Sequence, residues 1–286
     1  MTTLFTILFD GVAYGMLLFV LACGLAVTLG LMNFVNLAHG AFAMTGGYVC
    51  AVLVNQSGWP FFAALPLAFV VSALIGVALE RALYRHLYTR SHLDQVLFSI
   101  GLVFMAVAAT DYFFGATQQF VRLPPFLQGR IEIAGAGIGA YRLFIVLVCG
   151  LIAVGLQWIL AKTRFGSRLR AAVDDRRVAS GLGLDVNRIF LATFVVGSGL
   201  AGLGGALAIE IIGLDPHFAL TYLIYVLIVV SLGGLGSIGG SFAAATLIGI
   251  SDVAGKYYVP ELGSFLIYLV MVVVLMWRPA GLFGRR

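Results

Sequence analysis

Charged residues are scarce in this chain, and their scarcity excludes a soluble protein. Only 10% of the 286 residues are charged and 62% are hydrophobic, with a mean hydropathy of +1.07. Soluble domains carry roughly 25% charged residues. The long apolar runs, such as 69–79 and 143–160, do not alternate as barrel strands do. The composition predicts an all-α protein, a polytopic transmembrane helical bundle.

Cysteine is also scarce, and it indicates neither a disulfide framework nor a metal site. Cys23, Cys50 and Cys149 all lie in apolar runs, where a thiol behaves as a small hydrophobic side chain. The first residues lack the basic start of a cleavable signal peptide, and Asp10 interrupts their apolar run. The first helix is therefore expected to be retained.

Windows of about 20 apolar residues predict about eight or nine membrane segments within a single transmembrane domain, 1–286. The segments lie at 7–31, 40–55, 61–79, 96–114, 142–161, 189–212, 220–233, 240–255 and 263–277. Those at 40–55, 220–233 and 240–255 are shorter than a hydrocarbon core about 30 Å thick requires. We expect them to be half-helices or re-entrant elements.

The basic residues predict the orientation of the bundle. Thirteen of the seventeen lysines and arginines lie in 80–94, 162–188 and the C-terminal tail. By the positive-inside rule these regions are cytoplasmic, and so is the C-terminus. The side of the N-terminus stays open, because it depends on whether 40–55 crosses the membrane. The net charge of +5 does not predict nucleic-acid binding, since no basic face lies outside the membrane pattern.

A polar break interrupts the apolar pattern at 32–48. It contains Asn33, Asn36, His39 and Gly40. Unpartnered polar groups in hydrocarbon cost several kcal/mol, so these side chains should face protein or a watery path. They mark a candidate binding site or pathway, or they tie broken helix ends together.

A second break, at 231–249, is rich in glycine. It holds Gly233, Gly234, Gly236, Gly239 and Gly240. The glycines favour either close helix packing or a gate hinge that lines the pathway. No lysine follows them, which excludes a phosphate-binding loop. A shift of 200 residues aligns 39–45 with 239–245. The match reflects either a pair of broken helices in corresponding positions of two halves or coincidence.

The longest connection, about 162–188, is too charged to be a simple turn. From Arg168 it is predicted to form a short helix on the membrane surface, ended by Gly181 and Gly183. This helix either docks on a partner or binds lipid phosphates through its arginines. The candidate docking residues are Arg168, Arg170, Asp174, Asp175, Arg176, Arg177, Ala179, Gly181 and Gly183.

Two function classes other than a passive pathway through the membrane are considered. The run 197–205, GSGLAGLGG, suggests either a serine protease nucleophile at Ser198 or tight helix crossings. An ion-coupled secondary transporter would need intramembrane acids, which are nearly absent. No base is placed near Ser198, so no catalytic residue is predicted.

Five motifs, in order, resemble those of a known family. They are MNFVNLAHGAFAMTGGY at 32–48, ERALYR at 80–85, FGSRLRAAVDDRRVASGLGLDVNRI at 165–189, SLGGLGSIGGSFAAATLIG at 231–249 and RPAGLFGR at 278–285. They are similar to the permease subunit of branched-chain amino-acid ABC importers of the LivH type. Where relatives often read GSIPGA, this chain has Gly239 in place of proline.

The resemblance implies a bacterial inner-membrane permease that works by alternating access. It implies four partners: a second related permease subunit, two cytoplasmic ATPase subunits and an external solute-binding protein. The ATPases would bind ATP and magnesium, and this chain no cofactor, in keeping with its lack of a P-loop. Residues 168–187 would couple it to the ATPases. Branched-chain amino acids, other amino acids, urea or short amides, and small aromatic acids all stay open as solutes.

Overall fold

The computed structural model describes residues 2–32, 34–88, 90–133 and 135–284, and the fold is the all-α bundle that the composition predicts. Its helices are α1 Thr2–Met32, α2 His39–Ala51, α3 Phe61–Ala82, α4 His92–Phe114, α5 Pro125–Gln128, α6 Ala140–Lys162, α7 Arg164–Asp174, α8 Arg176–Gly181, α9 Val186–Ile212, α10 Phe218–Gly233, α11 Ile238–Tyr258 and α12 Gly263–Trp277. A π-helical turn, Val52–Gln56, extends α2. Strands β1 Arg130–Ile133 and β2 Ala136–Gly139 form an antiparallel hairpin in which Arg130 pairs with Gly139.

Each predicted membrane segment overlaps a helix, but one predicted length is wrong. Helix α11 has 21 residues, whereas 240–255 was expected to be too short to span. It begins earlier because the Ser237 side chain caps it, and it continues through the polar residue Lys256. Among the described residues, six helices are long and apolar enough to cross a membrane, and α2 and α10 are not among them.

Helices α1 and α9 form the centre of the bundle, because glycines let their neighbours approach closely. A Cβ on Gly15 would lie 2.6 Å from the Ala245 carbonyl oxygen of α11, and one on Gly24 would lie 2.4 Å from that of Gly197 in α9. Such contacts leave no room for a side chain. Helices α4, α6 and α12 lie outside and expose large apolar side chains, such as Met105, Leu151 and Met276. These surfaces suit lipid.

The two ends of the bundle differ. At the hairpin end, Asp10 of α1 forms an ion pair with Arg142 of α6, and Thr2 lies beside Gly135. At the opposite, arginine-rich end, Gly30 meets Gly236. The tail pairs there with α10, since the Leu282 N–H donates to the Leu232 carbonyl at 2.7 Å. The first and last described residues therefore lie at opposite ends.

Candidate functional site

The polar break lies inside protein and is held by hydrogen bonds. Asn36 and His39 are each 2% exposed. The Asn36 Oδ1 accepts from the Tyr84 hydroxyl at 2.9 Å and from the Ala38 N–H at 3.1 Å. The His39 Nε2–H donates to the Leu21 carbonyl at 2.8 Å. These three hydrogen bonds join the break to the turn after α3, to the start of α2 and to α1. The roles assigned to these residues from the sequence stay predictions, and Asn33 lies outside the described residues.

Helix α2 begins well inside the bundle. Leu21, whose carbonyl accepts from His39, lies eleven residues before the end of α1, or about 16 Å at 1.5 Å per residue. Residues 34–38 therefore turn back into the bundle after α1 ends. Gly40 lets α2 pack closely on α10, because a Cβ there would lie 2.3 Å from the Ala219 carbonyl oxygen.

Two residues that sequence reasoning missed pair with the backbone of the break. The Val35 N–H donates to Gln95 Oε1 and the Leu37 N–H to Ser99 Oγ, both at 3.1 Å. An unpaired N–H at this depth would be costly. Gln95 and Ser99 are spaced i, i+4 and so share one face of α4. That polar pair in an apolar run was the available signal.

Aromatic rings pack around the break. Tyr84 and Tyr88 both meet the Phe34 ring edge-on, and Tyr84 also contacts Phe194 of α9. Burial raises the pKa of the Tyr84 hydroxyl above its usual range, so it stays protonated and donates to Asn36. The break is thereby fixed to α3, α4 and α9.

Asn36→Ala is expected to destabilise the fold rather than alter a pathway lining. The substitution leaves the buried Tyr84 hydroxyl and the Ala38 N–H without their acceptor, at a cost of about 2–4 kcal/mol. Tyr84→Phe removes one hydrogen bond and leaves no buried donor, so its cost is smaller. Thermal unfolding of the purified chain measures both. An unchanged midpoint for Asn36→Ala with loss of uptake would contradict this role.

The glycine-rich break forms the turn between α10 and α11. Gly234 and Gly236 have φ of +92° and +79°, which side chains rarely adopt. Gly240 packs on Gly233, where an added Cβ would lie 2.0 Å from the carbonyl oxygen. The close packing predicted from the sequence is present, whereas the hinge role stays a prediction.

Gly239 differs from the other four glycines. It lies in the first turn of α11, and an added Cβ would meet nothing within 4 Å. Proline is tolerated in a first turn, so its absence removes no kink. The Gly240 N–H donates to the capping Ser237 Oγ at 3.0 Å. The aligned residues Gly40 and Gly240 both lie in first turns after a break.

The prediction of one helix beginning at Arg168 is wrong. Two helices occur instead, α7 from Arg164 and α8 from Arg176. Asp175 between them is extended, and its Oδ1 accepts from the Arg177 and Val178 N–H groups at 2.8 and 3.0 Å. An aspartate at this position caps a new helix. Gly181 ends α8, and Gly183 follows with φ +83°, as C-terminal breakers do.

The residues of α7 and α8 fall into a buried and an exposed set. Leu169, Ala172 and Ala179 are at most 2% exposed, whereas Val178 is 57% and Leu182 79% exposed. Exposed apolar side chains among charges are typical of a docking surface. We name residues Val178 to Leu182 the coupling surface. The remaining predicted docking residues Arg168, Asp174, Asp175 and Arg177 are exposed beside it.

Two of the predicted docking arginines bind this chain itself. The Arg176 Nη2 donates to Asn187 Oδ1 at 2.9 Å, and its guanidinium lies over the Phe190 ring. The Arg170 Nη1 donates to the Leu160 carbonyl of α6. Arg176 therefore braces α8 against α9, and Arg170 braces α7 against α6.

A cavity of about 810 Å³ separates α7 from the glycine-rich turn. Val173 and Asp174 line one side, Leu235 and Gly236 another, and the tail residue Phe283 a third. The tail is joined to α10, since the Phe283 N–H donates to the Gly233 carbonyl at 3.2 Å. Helix α7, the glycine-rich turn and the tail thus lie around one space.

Ser198 lies at a helix crossing. Its hydroxyl donates to the Val195 carbonyl at 3.1 Å, and a Cβ on Gly76 of α3 would lie 2.1 Å from its Oγ. The small residues of 197–205 therefore pack helices, as one of the two interpretations held. Across the residues that the structure describes, no three His, Cys, Asp or Glu side chains are grouped to hold a metal.

Curated relatives match almost the whole chain. It is 26% identical to the high-affinity branched-chain amino acid transport system permease protein LivH of Escherichia coli, covering 97% of this chain and 94% of the relative. BraD of Pseudomonas aeruginosa, also named as such a permease, is 25% identical over 97% and 95%. The probable LivH of Methanocaldococcus jannaschii is 28% identical over 97% and 92%.

A second kind of relative matches too, and the family follows from a family model. LivM of Salmonella typhimurium, named as a permease protein of the same transport system, is 27% identical over 93% of this chain and 68% of the relative. No solved structure matches the chain. The model for permease components of the branched-chain amino acid transport system matches residues 7–275. The chain therefore belongs to that permease family.

Proposed function

We propose that this chain is the membrane-spanning subunit of an ATP-driven importer that moves branched-chain or related amino acids inward. One observation carries the proposal within the family: among arginines, the coupling surface exposes Val178 on the short helix α8 and Leu182 directly after it. Such a helix fits a groove of a partner. The sequence has no P-loop of its own, so ATP and magnesium would bind to two partner ATPase subunits.

The two ends of the bundle set the proposed orientation. The arginine-rich end carries α7, α8, the glycine-rich turn and the tail, so we assign it to the cytoplasm. The hairpin end, with the start of α1, then faces outward. This assignment places the N-terminal side, which the sequence left open, outside the inner membrane. A solute-binding protein would dock on the external segment 115–139.

The chain matches permeases of two different names, which supports a pair of permease subunits. The chain resembles proteins named LivH and proteins named LivM, each named as a permease of one transport system. We infer that the second permease subunit is such a relative. The exposed apolar surfaces of α4, α6 and α12 offer area for contact with this second subunit and with membrane lipid.

In the proposed alternating-access cycle, rigid parts of the bundle would move relative to one another. A push on α8 reaches α9 through Arg176 and α6 through α7 and Arg170. The cavity beside α7 gives α7 room to move toward the glycine-rich turn. The polar break, fixed by hydrogen bonds, would move as one piece with α9. We therefore propose Gly234 and Gly236 as the hinge.

The test is uptake by the assembled importer. Cells that express this chain together with a LivM-like permease, ATPase subunits and a solute-binding protein from the same organism are expected to give vesicles that take up labelled L-leucine when ATP is inside. Arg177→Glu reverses a charge on the exposed start of α8, and we expect it to lower uptake at least about tenfold by weakening ATPase binding. Arg177 is the better probe, because Arg176→Glu would also break the contact with Asn187.

Arg90→Glu provides the control. Arg90 is exposed at the arginine-rich end but lies outside the coupling segment, so uptake should be unchanged. Equal uptake and ATPase co-purification in Arg177→Glu and wild type would refute the coupling assignment. Uptake that needs no ATP and follows an ion gradient would refute the importer itself.

A further inference from the structure

A small cavity of about 320 Å³ lies at the hairpin end between α1, α6, α9, α10 and α11. We propose that it binds the ammonium and carboxylate groups shared by α-amino acids, a site for the solute within this one chain. The proposal rests on the proposed function, which it deepens. Its size is at the lower limit of small-molecule pockets, about 300 Å³.

The negative side of the cavity has oxygen atoms without partners. Asp252 is 2% exposed, and its Oδ2 accepts from the Lys256 Nζ at 2.7 Å. The Oδ1 atoms of Asp252 and of Asp10 are buried, with no hydrogen-bond partner among the described residues. Buried carboxylate oxygens are normally satisfied. An ammonium group has three donors and no acceptor, so it is a matching ligand for the two aspartates that line the cavity.

The positive side of the cavity is open to solvent. The side chains of Arg142 and Lys256 are 44% and 52% exposed, and each pairs with its aspartate through one nitrogen. Their remaining N–H groups are available to a carboxylate, which accepts strong charge-assisted hydrogen bonds. The two cations are therefore placed at the entrance, and the free aspartate oxygens lie deeper.

The charges of the cluster favour a zwitterion over a simple ion. Asp10 and Asp252 balance Arg142 and Lys256 in formal charge, so a lone cation or anion would leave one pair of groups unmatched. Ile211 and Ile212 supply apolar wall for an aliphatic side chain. No third carboxylate, histidine or cysteine joins the two aspartates among the described residues, which disfavours a metal.

The position of the cavity suits a solute that arrives from outside. Its aspartates each lie about two turns from the external ends of α1 and α11. A binding protein docked on 115–139 would release its solute beside Arg142. The cavity would then be the first acceptor within the permease, and selection for an α-amino acid would not belong to the binding protein alone.

Calorimetry on the full-length chain in phosphatidylcholine nanodiscs tests this site. The probes are L-leucine, 3-methylbutylamine, which lacks the carboxylate, and 4-methylpentanoate, which lacks the ammonium group. We expect L-leucine to bind with a Kd of about 1 mM or tighter. Both analogues should bind at least about tenfold more weakly, because each loses one set of charge-assisted hydrogen bonds.

Variants then locate the binding. Asp252→Asn should weaken L-leucine binding at least about tenfold, whereas Glu261→Gln, an exposed acid at the same end, should leave it unchanged. Should Asp252→Asn fail to fold, Lys256→Gln replaces it, since that side chain is half exposed. Lys256→Gln should bring L-leucine binding close to that of 3-methylbutylamine.

Three results would overturn the site. They are L-leucine binding unaffected by the variants, 3-methylbutylamine binding as tightly as L-leucine, and no saturable L-leucine binding by the wild-type chain. ATP-driven uptake by the assembled importer separates the two proposals. If the importer takes up leucine but the isolated chain does not bind it, only the proposed site is refuted. If the chain binds leucine but the importer does not take it up, only the proposed function is refuted.

Discussion

Gly205→Ala is expected to abolish the stable fold of this permease. A Cβ at Gly205 would lie 1.8 Å from the carbonyl oxygen of Ala43 in α2. A backbone atom cannot rotate away as a side chain can, so α2 and α9 would have to separate. The cost should exceed the roughly 1–3 kcal/mol of an overpacked core. Size-exclusion chromatography and thermal unfolding in detergent would measure the loss.

The matched control is Gly155→Ala on α6. A Cβ there would meet nothing within 4 Å, and alanine is a better helix former than glycine by about 1 kcal/mol. Stability should be unchanged or slightly higher. If both variants unfold at the wild-type temperature, the close crossing of α2 and α9 is wrong.

Leu182→Asp is expected to abolish transport while leaving the fold intact. The side chain is 79% exposed on the coupling surface, so the isolated chain loses no packing when it changes. In the importer, the substitution would bury a charge against the ATPase groove, and a lost apolar anchor typically costs about 2 kcal/mol or more in binding. We expect ATP-driven uptake to fall more than about tenfold, and ATPase subunits to be lost during purification.

Leu93→Asp is the control for this second prediction. Leu93 is 66% exposed in the first turn of α4, at the same end of the bundle, but it lies outside the coupling surface. Uptake should stay near the wild-type level. Equal loss in both variants would point to a general effect of charge near the membrane. Normal uptake in Leu182→Asp would show that the ATPase contact lies elsewhere on the chain.

The two predictions concern the core and the surface of the molecule. Gly205 belongs to the crossing of α2 and α9, where a rigid core holds the polar break in place. Leu182 directly follows α8, a surface helix whose inner face, at Ala179, is buried. The proposed coupling to the ATPases requires both features, a firmly packed inner face and an exposed apolar side chain beside it.

The sequence predicted those features that depend on local composition. Long apolar runs can satisfy their backbone in lipid only as helices, so the class and the places of the helices followed. Polar residues at 32–48 and glycines at 231–249 marked the two breaks, because either pattern interrupts a membrane helix. The charge of 162–188 marked the connection that contains α7 and α8, and the motifs predicted the family.

Only the tertiary structure decided what these residues contact, because the partners are distant in sequence. Asn36 meets Tyr84, and the backbone of the break meets Gln95 and Ser99; no local pattern fixes such pairs. Arg176 contacts Asn187 inside the chain, although it resembles the exposed Arg177 in sequence. Asp252, hidden in an apolar run, faces a cavity beside Asp10. Composition determines that this chain folds as membrane helices, and packing between helices determines which polar groups are satisfied and which remain open to a ligand.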